Sequence, residues 1–83
     1  MNVNFEAMLA GMRRGKKDDK IWGNVVLDDL FDPLSRIQLF TRDEKLMQKV
    51  AEMLPGTRVD CTARLYTNKD GYLGASLDRI DAV

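Results

Sequence analysis

The chain of 83 residues has no histidine and only one cysteine, Cys61. It therefore lacks the usual protein ligands of zinc, and it lacks the histidine on which most acid–base catalysis and the common nucleophile triads depend. A single cysteine also excludes a disulfide framework within one chain. Cys61 falls at an apolar position of an alternating segment, so we interpret it as a small buried thiol. We expect a non-catalytic protein with neither a metal nor a cofactor.

The chain also lacks an excess of charge of either sign and has no long apolar run. Thirteen Lys and Arg residues balance thirteen Asp and Glu residues, which gives a formal net charge of zero. Because nucleic-acid binders gain affinity by neutralising phosphates, any such role must depend on a local cluster of cations. The short apolar runs, with no charged-then-apolar leader at the first residue, predict no membrane span and a cytoplasmic location.

The segment after residue 56 carries the clearest structural pattern. Apolar and polar residues alternate from 57 to 66, which predicts a strand that is buried on one face. Asn68-Lys69-Asp70-Gly71 has the composition of a short hairpin loop, and an antiparallel strand is predicted from Leu73. The apolar alternation slips between Leu77 and Ile80, which predicts a bulge near Asp78.

Three further strands are predicted before residue 42. Residues 2–11 alternate in the same way and are interpreted as a strand, although their good helix formers leave a short helix as the alternative. Residues 21–27 and 34–41 give the second and third strands. Residues 12–20 hold five basic and two acidic side chains. We predict that this segment is a basic hairpin loop, with a bend favoured by Gly11 and Gly15.

One helix is predicted after the third strand. Thr41 and Glu44 have the spacing of a capping box, and Pro55-Gly56 ends the helix. Apolar residues at helical spacing between these limits predict one buried stripe: Leu46, Met47, Val50, Met53 and Leu54. The three carboxylates that precede the third strand, Asp28, Asp29 and Asp32, lack the glycine and terminal glutamate of a calcium loop, so we interpret them as part of a solvated turn.

Five strands with a single helix between the third and the fourth is the connectivity of the OB-fold, a five-stranded Greek-key barrel. We therefore predict that residues 1–83 form one all-β domain of this type, with one helix. Two other architectures fit the same pattern. One is an SH3-like small barrel, and the other is an α+β sandwich that would require residues 4–10 to be helical.

In its element order and length the chain resembles the compact single-stranded-DNA-binding proteins of phages and mobile elements. In those proteins a basic, glycine-containing loop joins the first two strands and an aromatic residue follows it. The matching positions in this chain are Gly15, Lys16, Lys17, Lys20 and Trp22. The resemblance implies a β-barrel that binds single-stranded DNA, or RNA, without catalysis, in a process such as DNA replication. Because the core of an 83-residue domain is marginal, pairing with a second copy would help, and we also predict a homodimer.

Cations that follow the phosphates and aromatic rings that stack on bases are the groups that such a protein needs. The candidates are Arg13, Arg14, Lys16, Lys17 and Lys20 in the basic loop, Trp22 after it, Arg36, Phe40 and Arg42 on the third strand, and Arg64, Tyr66, Lys69 and Tyr72 around the last hairpin. Each has a structural alternative. Trp22 and Phe40 could belong to the core, the two tyrosines could pair across the hairpin, and the basic loop could simply be solvated.

A second function fits the same sequence. A small barrel of zero net charge could serve as a protein-interaction subunit that pairs with a partner through an open sheet edge. An enzyme is disfavoured, because the chain contains no paired catalytic groups and no phosphate-binding glycine motif.

Overall fold

The computed structural model describes residues 1–32 and 34–83, which form five strands and one helix. In chain order these elements are β1 (Asn2–Lys17), β2 (Lys20–Asp28), β3 (Arg36–Thr41), α1 (Glu44–Ala51), β4 (Arg58–Thr67) and β5 (Leu73–Ala82). The strands close a barrel in the order β1-β2-β3-β5-β4, in which β3 and β5 are parallel and the other neighbours are antiparallel. The predicted all-β barrel with an OB-like connectivity is confirmed. The helical alternative for the first segment is wrong.

The core forms where the sequence alternates. The inward positions of the strands carry the side chains that are completely buried: Val25, Leu27, Leu39, Val59, Cys61 and Ile80. Their outward neighbours keep contact with solvent, as expected for strands that are wet on one face. Removing these apolar side chains from water is the main favourable contribution to folding.

Cys61 is buried as predicted, and its burial raises the pKa of its thiol to about 11. Neighbouring Asp60 raises the pKa further, because a negative charge disfavours the thiolate. At pH 8 the thiolate fraction should therefore be about 100-fold lower than in the unfolded chain. We expect a thiol reagent such as DTNB to react slowly with the folded protein and rapidly, with one equivalent, in denaturant. Equal rates in the two states would show that Cys61 is accessible.

Two bulges adjust the strands to the closed barrel. In β1 the pairing with β2 shifts by one residue between Leu9 and Gly11, so the irregularity predicted at the first glycine is present, but the strand continues beyond it. In β5 the pairing with β4 shifts between Arg79 and Leu77, which leaves Asp78 unpaired in the ladder. The bulge predicted near Asp78 is confirmed. It allows Leu77 and Ile80 to face the core together.

The predicted basic loop is wrong. β1 and β2 remain paired as far as Lys17 and Lys20, and a two-residue turn of Asp18 and Asp19 joins them. Both aspartates have positive φ, at 52° and 63°, as a type I′ hairpin turn requires. β2 pairs with β3 only from Gly23 onwards, so residues 15–22 extend past β3 as a two-stranded hairpin arm. Because both faces of this arm meet solvent near its tip, its sequence shows no apolar alternation.

The N-cap of α1 is Asp43, so the predicted capping box is wrong. The carboxylate of Asp43 accepts a hydrogen bond from the backbone N–H of Lys45, at 2.9 Å. Thr41 is instead the buried last residue of β3, and its hydroxyl oxygen accepts a hydrogen bond from the backbone N–H of Asp43, at 3.0 Å. An aspartate at the N-cap also interacts favourably with the helix dipole.

Helix α1 closes one end of the barrel. Met47 and Val50 are buried, while Leu46 and Met53 pack against the core from partly buried positions. Leu54 was predicted on the same stripe, but it lies beyond the end of the helix and is 77% exposed. In the described parts of the chain, no helix has the length and apolar content to cross a membrane.

The other end of the barrel is open and apolar. A cavity of 450 Å³ lies there, with Val3, Phe5, Ile37 and Leu65 among its lining residues. The loop between β2 and β3 stands at its rim and is held by Asp29, whose carboxylate accepts hydrogen bonds from two backbone N–H groups. Asp29 and Asp32 therefore lie in a turn, in line with their interpretation from the sequence. Asp28 does not, because it is the last residue of β2 and pairs with Arg36 of β3.

Candidate nucleic-acid interface

The candidate site lies on the outer face of β1, β2 and β3. Directly paired residues of neighbouring strands face the same side of a sheet. Since the paired residues Val25 and Leu39 are buried, the next pair along, Asn24 and Phe40, faces outward. The pairs on the same side of the β1–β2 ladder are Arg13 with Asn24, Gly15 with Trp22, and Lys17 with Lys20. Together they bring a basic strand pair beside two aromatic rings.

A shallow depression of 530 Å³ runs over this face. We call it the strand groove, and it is lined by Lys17, Asp18, Lys20, Trp22, Asn24, Phe40 and Arg42. Trp22 and Phe40 are both half-buried. They stand on the outer face, so the alternative that placed them in the core is wrong. The guanidinium carbon of Arg42 lies 5.6 Å from the centroid of the Phe40 ring, within the range of a cation–π contact.

The indole of Trp22 packs closely against Gly15, its partner on β1. A Cβ atom at position 15 would come within 2.3 Å of Cζ2 and 2.6 Å of Cε2 of the indole. The absence of a side chain at Gly15 therefore makes room for the ring on the outer surface of the sheet. The indole packs against β1, and the residue as a whole remains partly exposed to the groove.

This contact predicts a difference between two glycines of the same strand. Gly15→Ala should displace the indole, which should shift the fluorescence emission of Trp22 and weaken any binding that needs the ring in place. Gly11→Ala is the matched control, because a Cβ at position 11 would meet nothing within 4 Å. Emission spectra of the two variants check the prediction. An unchanged spectrum for Gly15→Ala would show that the indole does not rest on Gly15.

Ion pairing divides the basic residues into two groups. Six of them form ion pairs with carboxylates: Lys16, Arg36, Lys49, Arg58, Arg64 and Arg79. Within residues 1–32 and 34–83, this leaves seven of the thirteen basic residues without an ion pair. Four of the seven lie on the outer face, in or beside the strand groove: Arg13, Lys17, Lys20 and Arg42. The groove therefore carries positive charge although the whole chain has none.

Three of the predicted contact residues on β1 and β3 lie away from the groove. Arg14 and Lys16 have the opposite strand parity and line a different cavity, together with Glu44 and Gln48 of the helix. Arg36 lies at the far end of β3, where its Nε donates a hydrogen bond of 2.7 Å to Asp28. This hydrogen bond lowers the pKa of the Asp28 carboxyl. Cations that are close in the sequence therefore lie on different surfaces of the barrel.

The residues predicted around the last hairpin form a separate group. Tyr66 lies over Gly74, where a Cβ would come within 2.5 Å of its ring, so the predicted pairing of Tyr66 with Tyr72 is wrong. Tyr72 lies in the loop before β5 and is 71% exposed, and Lys69 is exposed in the same loop. Arg64 forms an ion pair of 3.3 Å with Asp78.

No protein-family model, no curated protein and no solved structure matches this chain. The geometry of the strand groove is therefore the basis for inferring a function. Of the thirteen predicted contact residues, the groove contains Lys17, Lys20, Trp22, Phe40 and Arg42, and Arg13 lies beside it. Asn24 also lines the groove and was not predicted. Its position two residues from Trp22, on the same face of the strand, was the signal that could have identified it.

Proposed function

We propose that the protein binds single-stranded DNA without catalysis and with little sequence preference, in the strand groove. The observation that carries this proposal is the presence of two partly exposed rings, Trp22 and Phe40, on adjacent strands of one outer face. Aromatic side chains of this kind stack on unpaired bases, at about 1–3 kcal/mol per base. In a duplex the bases stack on one another, so a single strand is the ligand that can use the rings.

The cations of the groove supply the second requirement. Lys17 and Lys20 face each other across the hairpin arm, and Arg42 lies over the Phe40 ring. Within the described residues none of the three forms an ion pair, so all of them are available to phosphates. Guanidinium and ammonium groups beside stacking rings suit a backbone that turns its bases toward the protein. Because every base has a stacking face, little sequence preference follows.

Fluorescence of Trp22, the only tryptophan of the chain, tests the proposal directly. Titration with oligo-dT should quench the emission, because a base should stack on the indole, and added NaCl should reverse the quenching. Three phosphate contacts predict a slope of about −2 for the logarithm of the binding constant against the logarithm of the salt concentration. A duplex of the same length is the control and should quench less. Absent quenching, or quenching that salt does not reverse, would contradict the proposal.

Two further features of the role belong to the same proposal. A homodimer would lengthen the path of contact with DNA and raise the affinity through effective concentration. A cytoplasmic location and a role in DNA replication would follow from the ligand. Sedimentation equilibrium of the free protein and of its oligonucleotide complex tests the dimer, since a monomeric mass in both samples would contradict it.

A protein-interaction subunit is the second candidate, and one observation favours it. At the rim of the open barrel end, Phe31 and Leu34 are 92% and 94% exposed. Exposed apolar clusters of this kind mark interaction surfaces. Because the barrel is closed, a partner would bind this apolar surface and not an open edge of the sheet. Capture of one protein partner that resists nuclease treatment and is lost in a Phe31→Ser variant, together with no binding of oligonucleotides, would favour this function over the first.

A further inference from the structure

We propose that Asn24 donates and accepts hydrogen bonds at the edges of bases that stack in the strand groove. This inference rests on the proposed function and restricts the class of ligand that the groove binds. The ligand must carry nucleobases as well as phosphates, so a polyanion of equal charge without bases is a poorer ligand.

The position of Asn24 carries the argument. It is paired directly with Phe40 on β3, and it lies two residues from Trp22 on the same face of β2. Asn24 is therefore a neighbour of both ring residues and lines the groove with them. A base that stacks on either ring would bring its edge toward this amide, while Lys17, Lys20 and Arg42 face the phosphates.

The amide of Asn24 is free to make this contact. Asn24 is half-buried, yet within residues 1–32 and 34–83 its side chain forms no hydrogen bond with another group of the protein. The lysines and arginines of the groove are donors only, whereas a primary amide offers an acceptor beside two donors. Asn24 is thus the uncharged side chain of the groove that can satisfy both kinds of group on a base.

The chemistry of unpaired bases matches this amide. In a single strand the Watson–Crick edge is exposed, and each of the four bases presents a hydrogen-bond donor next to an acceptor. Rotation of the amide about its last torsion can fit either order. The contact therefore depends on the presence of a base more than on its identity, which agrees with binding of low sequence preference.

An abasic oligonucleotide separates base contacts from phosphate contacts. Binding should be measured by the anisotropy of end-labelled oligo-dT and of an end-labelled abasic strand of equal length and phosphate number, because a strand without bases need not quench Trp22. Asn24→Ala should weaken binding of oligo-dT about 2–10-fold, as the loss of one hydrogen bond predicts, and leave binding of the abasic strand unchanged. Gln38→Ala is the matched control, because this exposed amide lies on the same face of β3 but does not line the groove. It should leave both affinities unchanged.

Each outcome decides a different claim. If Asn24→Ala weakens both ligands equally, or neither, the base contact is overturned while the proposed function stands. If the unmodified protein binds neither strand, the proposed function itself is overturned. Asn24→Val, which favours the strand conformation, provides a second variant in case Asn24→Ala is poorly folded, and it should give the same selective loss. Melting temperatures of all variants confirm that the loss reflects the contact.

Discussion

Substitution of Lys17 and Lys20 by glutamate should weaken the binding of single-stranded DNA on the order of 100-fold at low salt. Lys17 and Lys20 are paired residues of the hairpin arm and line the strand groove, and within the described residues neither forms an ion pair. Each reversal turns attraction for a phosphate into repulsion, at about 1–2 kcal/mol per site. The salt slope should also become shallower by about 1.4, because two phosphate contacts are lost.

The matched control carries the same change of net charge on another surface. Lys45→Glu with Lys69→Glu alters two exposed lysines that do not line the strand groove and that, within the described residues, form no ion pair. This variant should bind DNA within a few-fold of the unmodified protein, because long-range repulsion is largely screened beyond about 10 Å at 0.1 M salt. Anisotropy of a labelled oligonucleotide measures both variants. Equal losses in the two would show that net charge alone, with no localised site, governs binding.

Removal of the Trp22 ring is the second change with a large expected effect. Trp22→Ala should weaken binding about 5- to 150-fold, which corresponds to the 1–3 kcal/mol of one stacked base. Its salt slope should stay unchanged, because no phosphate contact is lost. The lysine substitutions and the tryptophan substitution therefore differ in salt dependence as well as in size, and the two contributions can be measured separately.

Tyr72→Ala is the aromatic control for this experiment. Tyr72 is more exposed than Trp22, but it lies in the loop before β5 and does not line the strand groove. If exposure alone made a stacking site, Tyr72→Ala would have the larger effect. The groove geometry predicts the reverse, since Trp22 shares the groove with three cations and a second ring. Binding is measured by anisotropy of labelled DNA, and Trp22→Phe should recover part of the lost affinity. A greater loss for Tyr72→Ala would contradict the placement of the site.

The barrel itself was predictable from the sequence because its strands are wet on one face. The alternation around Val59 and Cys61, the slip near Asp78 and the apolar stripe of the helix each have one simple structural meaning. The structure confirms them, except that Leu54 of the stripe lies beyond the end of the helix. The hairpin arm was not predictable in this way. Both faces of its tip meet solvent, so Lys16 and Lys17, which lie on opposite faces, look alike in the sequence.

Which cations form ion pairs depends on contacts between residues that are far apart in the chain. Arg58 is paired with Glu6, 52 residues away, and Lys49 is paired with Asp81, 32 residues away. No local pattern shows which cations are neutralised by such partners. The predicted N-cap of the helix was wrong for a different reason. Thr41 and Asp43 are both good N-cap residues, and the choice between them depended on how far β3 continues.

Chemical-shift mapping of backbone amides during titration with oligo-dT tests the central claim most directly. The central claim is that a positively charged groove on the outer face of β1–β2–β3 holds single-stranded DNA although the protein has no net charge. It predicts salt-sensitive shifts concentrated at residues 13–24 and 38–42, with little change around the open barrel end. Shifts centred on Phe31 and Ile37 instead, or none at all, would contradict it.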